Sequence, residues 1–338
     1  MMLRTKPMRR RDFITITLIG GAAAARPFAA RAQQPAMPAV GFLNRGFPKQ
    51  STELVYAFRQ GLNQVGYTEN RDVVVRKHYA WGKDDQLPEI AADLVQHQVA
   101  VIATAGAPEA LAAKAATTTI PIVFTIEGDP IAAGLVPTLD RPGGNVTGVA
   151  IAKMEFGPKR LELLHQVIPT ASTVGLLVNP TNPAAEPLVR DAQAVARSLG
   201  LQLHVFNASV DNEIESAFAA LPGLQAGGLV IAPDPFFDNR ALRLGALALQ
   251  YSVPAIYHQR AFIAAGGLIS YGASLTDAFQ VAGAYTGRIL KGEKPGDLSV
   301  QQSTKVELLF NTKTAKSLGI NIPPALFDRA DGVINFSL

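Results

Sequence analysis

The 338-residue chain contains no cysteine. That excludes disulfides, thiolate metal sites, a cysteine nucleophile and the lipid-modified N-terminal cysteine that tethers many exported proteins. It has a single tryptophan, and only 17% of its residues are charged. No apolar run is long and clean enough to span a bilayer; the longest, near the N-terminus, is interrupted by Gly and Thr. The five histidines, at 78, 97, 165, 204 and 258, show no zinc spacing. No Gly-x-Ser-x-Gly elbow, phosphate-cradling Gly-x4-Gly-Lys-Ser/Thr or correctly placed dinucleotide fingerprint occurs; Gly143-Gly-Asn-Val-Thr-Gly148 precedes a strand, whereas a fingerprint follows one. No metal and no cofactor are expected.

The apparent basicity, a net charge of +4, is local. Residues 1–32 hold seven basic side chains (Arg4, Lys6, Arg9, Arg10, Arg11, Arg26, Arg31) and one acidic one, Asp12. Setting them aside reduces the 31 basic and 27 acidic residues to 24 and 26, a net of −2. No basic stripe with interleaved aromatics remains, so nucleic-acid binding is not expected. Residues 1–32 have the layout of an export signal: a basic start, an apolar run from Phe13 to Ala25, and Ala30-Arg31-Ala32 as a small-x-small cleavage signal, with the mature chain beginning at Gln33. Arg10-Arg11-Asp12-Phe13-Ile14 resembles the twin-arginine pattern, and the weak apolar run suits that route. An exported chain without a lipid anchor is expected to be free in a periplasm.

With 48% hydrophobic residues, the remainder is long enough for two cores. Strand patterns at Ala39–Leu43, Val73–His78, Val99–Thr104, Ile122–Thr125 and Val146–Ile151 alternate with helix patterns at Thr52–Val65, Gln86–His97 and Pro108–Ala116. The alternation restarts with helix Glu155–Val167 and strand Thr173–Val178, continues through strands Gln202–Asn207, Gly228–Ile231, Ala255–Tyr257 and Gly267–Tyr271, and reaches a long helix, Leu275–Leu290. Helices at Pro183–Leu199, Asp211–Leu221 and Arg240–Tyr251 separate these strands, and a strand at Val306–Phe310 with a helix at Lys313–Leu318 ends the pattern. The fold class is α/β, with two doubly wound parallel-sheet lobes. In such sheets ligands bind outside the carboxyl ends of the strands.

Candidate ligand-binding residues therefore come from strand-end loops. Asn44 ends strand one; Thr104, Gly106 and Pro108 follow strand three, where free amides at a helix start could hold a carboxylate. Glu127 and Asp129 follow strand four and could receive an ammonium or be solvated. In the second half the candidates are Asn179, Asp234, Phe236, Phe237, Tyr257 and Tyr271. One of the two phenylalanines either lines the cleft or plugs the core, and the tyrosines have the same two options. Trp81 is expected to be a packing anchor.

The chain resembles the ABC-transporter substrate-binding proteins of the tryptophan/tyrosine-type group. The resemblance is carried by Arg9-Arg-Arg-Asp-Phe-Ile-Thr, Ala29-Ala-Arg-Ala-Gln-Gln-Pro35, Val40-Gly-Phe-Leu-Asn44, Ala112 to Phe124, Arg141 to Gly148, Lys159 to Leu164, Val178 to Pro183, Asp234-Pro-Phe-Phe237 and Ile289 to Pro295. It departs at Arg45 and at Thr125-Ile-Glu-Gly-Asp129. The resemblance implies a type I periplasmic-binding-protein fold, with two lobes joined by a three-crossover hinge and a ligand caught between them on closure. Under it the N-terminal lobe takes 33–151 plus 272–300, and the C-terminal lobe 152–271 plus 301–338, with the long helix crossing back to the first lobe. It further implies a small-molecule solute, an amino acid or aromatic acid, delivered by a monomer to an inner-membrane ABC permease. No catalysis is expected. The alternatives are an exported two-lobed hydrolase or transferase, against which the missing nucleophile–base pair weighs, and a ligand-presenting sensory module.

Overall fold

The computed structural model describes residues 37–152 and 156–335; the expected export signal lies outside them. From Met37 onward the chain forms a single unit built on two sheets. It opens with β1 (Ala39–Asn44), α1 (Thr52–Gln64), β2 (Val74–Tyr79), α2 (Leu87–Gln96), β3 (Val101–Thr104), α3 (Ala107–Ala116), β4 (Ile122–Glu127) and β5 (Val146–Ile151). The second lobe contains α4 (Gly157–Val167), β6 (Thr173–Val178), α5 (Ala185–Ser198), β7 (Gln202–Asn207), α6 (Asp211–Ala220) and β8 (Gly228–Ile231). It continues with α7 (Pro235–Asp238), α8 (Ala241–Gln250), β9 (Ala255–Tyr257), α9 (Arg260–Ala264) and β10 (Ile269–Ala273). The chain then returns through α10 (Leu275–Leu290) and β11 (Gln301–Ser303) to the first lobe, and ends in the second with β12 (Val306–Asn311), α11 (Thr312–Ser317), α12 (Pro324–Phe327) and β13 (Gly332–Ile334).

The first sheet has the order β11-β5-β4-β3-β1-β2, every pair parallel. The second has the order β13-β12-β10-β9-β8-β6-β7, parallel except where β10 meets β12. Central strands read as unbroken apolar runs because both faces are covered. In the first lobe Val40, Phe42, Val101 and Ala103 pack toward α1 and α10, while Leu43, Ile102 and Phe124 pack toward α2 and α3. In the second, Val174 and Leu176 share a core with α4 and α5, and Leu177, Leu229 and Ile231 share one with α6 and α8.

The long helix does cross back to the first lobe, and glycine lets it approach. A Cβ at Gly61 of α1 would run into the backbone of Gln280, and one at Gly283 of α10 into the carbonyl of Phe58. The two helices thus touch backbone to backbone.

The expected lobe boundaries shift at two places. Gly272 and Ala273 still pair with β12, so the second crossover falls at Ser274. Gln301–Ser303 pair with β5 and belong to the first sheet, so the third crossover is residues 304–305. Hydrogen bonds tie the crossovers together: Ala152 N–H donates to Ser303 O at 3.1 Å and Ser274 N–H to Lys305 O at 2.9 Å.

Candidate functional site

The carboxyl ends of β1, β3 and β4 in one lobe, and of β6, β8 and β9 in the other, carry the loops that contain almost all the candidates. Charges from the two lobes act on each other there. Glu127, the last residue of β4, has its side chain open to water. Protein nonetheless surrounds it closely enough that desolvation raises its pKa; His258 of the other lobe opposes that shift and Asp238 adds to it. Glu127 is thus exposed to water at the end of β4 yet within electrostatic reach of charges on the other lobe. Opposite it, His258 Nε2 lies 2.9 Å from Asp238 Oδ1, and His258 Nδ1, in a side chain only 8% exposed, makes no hydrogen bond. Gly128, at φ 94°, follows Glu127 and turns the chain away in a conformation that only glycine adopts without strain.

Two buried hydroxyls, Thr104 Oγ1 at the end of β3 and Thr125 Oγ1 on β4, find no partner among the described residues. Ser303 Oγ on β11, beside the crossovers, is in the same state. Buried polar atoms without a partner are rare and costly, of order 1–3 kcal/mol each, and these three fall on strands of the first sheet.

Other candidates are committed to the scaffold. Asn44 donates from Nδ2 to Ser51 Oγ at 2.9 Å and accepts Gly46 N–H at 2.6 Å, which shapes the β1 loop. Asp129 accepts Ile131 N–H at 2.8 Å in an exposed turn. Asp234 is buried and caps α7: its Oδ1 accepts Phe236 N–H at 2.8 Å and Asn179 Nδ2 at 3.1 Å, and its Oδ2 accepts Asn182 Nδ2 at 2.8 Å. Asn179 Oδ1 is occupied by Thr181. Asp234 and Asn179 therefore form a loop staple, with little capacity left for a ligand.

The two phenylalanines differ in burial, though both pack on the same core. Phe237 is wholly buried in the core of α6 and α8, while Phe236 is half-buried under the Arg240 guanidinium, 3.8 Å from its ring centre. Tyr257 also belongs to that core, stacked on Phe262 at 4.7 Å. Its phenol is fully enclosed, and burial pushes its pKa well up, so it presents no hydroxyl to the cleft. Tyr271 packs edge-on against Phe156 at 5.6 Å, and its carbonyl accepts Arg160 Nε at 2.8 Å. Arg160 is itself buried, and desolvation lowers its pKa to about 10. Trp81 is not a packing anchor: it is 56% exposed, at φ 55°, with its ring 5.8 Å from Phe47.

The helix start at Gly106 also differs from expectation. Ala107 and Pro108 open α3, but Glu109 in its first turn turns its own carboxylate onto that end. Glu109 is fully buried, its Oε1 accepts Arg45 N–H at 2.7 Å, and a Cβ on Gly106 would collide with its Oε2. Burial raises its pKa against the pull of the Arg45 and Glu109 amides. A carboxyl group of the chain itself already sits where an external carboxylate was expected.

Sequence reasoning missed His258, Asp238 and Glu109. Nothing in their spacing joins positions 127, 238 and 258; only the antiparallel facing of the two lobes does. Among the described residues, no group of three or more metal-ligating side chains stands together, and no helix is long and apolar enough to cross a membrane.

Two parallel-sheet lobes joined by three crossovers are the architecture of the type I periplasmic-binding-protein fold. A family model described as "ABC transporter substrate binding protein" matches residues 50–334, and the chain belongs to that family. It is 26% identical over 261 residues to a tyrosine-binding protein of Clostridioides difficile (strain R20291), covering 77% of this chain and 75% of that one. Two solved structures superimpose with a TM-score of 0.68, each covering 88% of this chain and 99% of the other. One is an ABC domain from Streptococcus pneumoniae in complex with L-Trp, 25% identical; the other is a conserved domain protein of Vibrio cholerae, 26% identical.

Proposed function

We propose that this chain is exported to the periplasm, captures a small solute between its lobes as a monomer, and delivers it to an ABC permease in the inner membrane. The solute is an amino acid or related aromatic acid, the reaction is binding alone, and neither cofactor nor nucleic acid takes part. The observation that supports the reading is that Glu127 of one lobe lies within electrostatic reach of the His258–Asp238 pair of the other, with unpartnered Thr104 and Thr125 hydroxyls on β3 and β4. A primary ammonium placed between Glu127 and Asp238 would neutralise two carboxylates that otherwise repel across the cleft, so ligand entry and lobe closure would favour each other. The tyrosine-binding relative and the L-Trp complex support an amino-acid ligand. Because Glu109 occupies the α3 start, the ligand carboxylate lies elsewhere in this reading, on hydroxyl and amide donors.

Native mass spectrometry of freshly purified protein, followed by calorimetry against a panel of amino acids and aromatic acids, tests it. A bound amino acid, or saturable binding of one member of the panel that is abolished in Glu127→Gln, is the expected outcome. Tight binding of a solute without an amino group, with no response to any amino acid, would sink the amino-acid assignment.

A further inference from the structure

Outside the ligand cleft, the lobes also meet at Arg260, the first residue of α9. Its guanidinium touches carboxylates on both lobes: Nη1 lies 3.2 Å from Glu307 Oε2 on β12 of its own lobe, and Nε lies 3.2 Å from Glu53 Oε2 in the first turn of α1 on the other. The two halves of this bridge differ in rigidity. Glu307 has a side chain only 12% exposed, bonded also to the Ser274 hydroxyl and, at 3.2 Å, to Thr276 Oγ1, both at the second crossover. Glu53 is about half exposed, and Arg260 is the only ion-pair partner it has among the described residues. A cavity of about 60 Å³ lies between these groups, walled by Gln50, Glu53 and Leu54 from the first lobe and by Gln259, Arg260 and Glu307 from the second.

We propose that Arg260 is a positioning residue for solute capture: anchored on Glu307, it engages Glu53 as the lobes close and releases it as they open. Glu307 and the crossover hydroxyls hold the guanidinium in place, so forming the Glu53 contact costs less side-chain entropy than for two free side chains. The contact bridges the two lobes near the crossover at Ser274, so a lobe rotation wide enough to draw α1 from α9 parts Glu53 from Arg260. Arg260 also lies two residues after His258, which faces Glu127. The segment His258-Gln259-Arg260 therefore reaches the opposite lobe at two points, one in the ligand cleft and one at the latch, and a ligand that draws His258 toward Glu127 moves Arg260 with it. The inference rests on the solute-binding reading for its biological sense, though not for its test.

The absence of native cysteine permits clean spin labelling. Leu111→Cys on α3 and Leu242→Cys on α8, both at exposed positions, report the interlobe distance in the full mature chain by pulsed electron–electron resonance. In ligand-free protein, Glu53→Gln and Arg260→Gln are each expected to shift the distribution toward longer distances. Raising NaCl from about 0.05 to about 0.5 M should do the same to the parent but not to either variant. With L-tyrosine as probe, each variant weakens binding about two- to fivefold, the range for a partly exposed ion pair, mainly through faster release. Once Arg260 is Gln, changing Glu53 has no further effect. Additive effects of the two substitutions, or distance distributions unchanged by both substitution and salt, would overturn the latch. Failure of L-tyrosine to bind the parent counts against the amino-acid reading alone, because the ligand-free distances still decide the latch.

Discussion

The carboxyl ends of β4 and β8 each carry a carboxylate, Glu127 on the last residue of β4 and Asp234 in the loop after β8, and the two are used in opposite ways. Asp234 after β8 spends both oxygens on its own loop, accepting the Phe236 amide and the side chains of Asn179 and Asn182. Glu127 after β4 has no such partners; it stands open to the cleft, with His258 and Asp238 across from it. Glu109 after β3 belongs with Asp234, since it is buried, capped by an amide and closed over its own helix. An acid at a strand end is thus scaffold or site according to how many local donors reach it. Residue type and position alone do not distinguish the two cases.

The sharpest way to break this comparison is at Asp234. Replacing it with Ala removes a helix cap and leaves two amides, the buried one of Asn179 and the half-buried one of Asn182, without this acceptor. A loss of about 2–4 kcal/mol in unfolding free energy is expected by urea titration. Comparable destabilisation from Glu127→Ala would erase the distinction. Glu127→Gln is expected to leave the urea midpoint near that of the parent while weakening binding of L-tyrosine about 10- to 100-fold by calorimetry, the worth of a charge-assisted bond.

Glu109 provides a pH-resolved version. Its folded-state pKa is raised by burial above the ordinary 4.5, so it binds its proton more tightly folded than unfolded. The stability tied to that proton is fully present below the ordinary value and is lost as pH rises through the raised one. Glu109→Gln should therefore gain stability relative to the parent as pH climbs above 4.5, read as diverging urea midpoints; parallel curves would mean that the carboxylate is not desolvated as described. The smallest effect is expected at Phe236→Leu, which removes the ring beneath Arg240 and should cost about 0.5–1 kcal/mol. Phe237→Leu, in the fully packed core, should cost more.

Much of the architecture was legible in the sequence. The runs Thr173–Val178, Gly228–Ile231 and Ala255–Tyr257 form strands with the expected bounds, because two-sided burial leaves an unbroken apolar stretch bordered by turn residues, and the half-buried edge strand Gln202–Asn207 also has its expected bounds. Short elements escaped: β11 and β13 have three residues each, and α7 and α12 four, too few for any periodicity to register. That is why the third crossover was placed before Gln301 when it falls after Ser303. The candidate site was legible only as a set of loops. Glu127 ends β4 with an exposed side chain, whereas Phe237 and Tyr257 fill a core and Asp234 staples a loop. His258 and Asp238 lie 20 residues apart in sequence and meet only because α7 turns back over the end of β9. Trp81 was misjudged for a related reason: its left-handed backbone, fixed by Ala80 N–H on Asn44 O and Gly82 N–H on Arg45 O, points the indole outward, and backbone handedness leaves no mark in hydropathy.

The three interlobe crossings also constrain how the protein comes into being. The first sheet needs β11, and its α1 needs α10, so the first lobe cannot be completed until Ser303 has been synthesised. The second lobe needs β12 and β13, later still. A nascent chain of this design emerges with all five leading strands yet lacks the helix that seals their outer face. Its early intermediates expose Phe58 and Leu62, and assembly waits on contacts between segments more than 200 residues apart. Such long-range closure slows folding. It predicts that truncation after residue 271 yields no folded first lobe, only an aggregation-prone fragment in need of a chaperone.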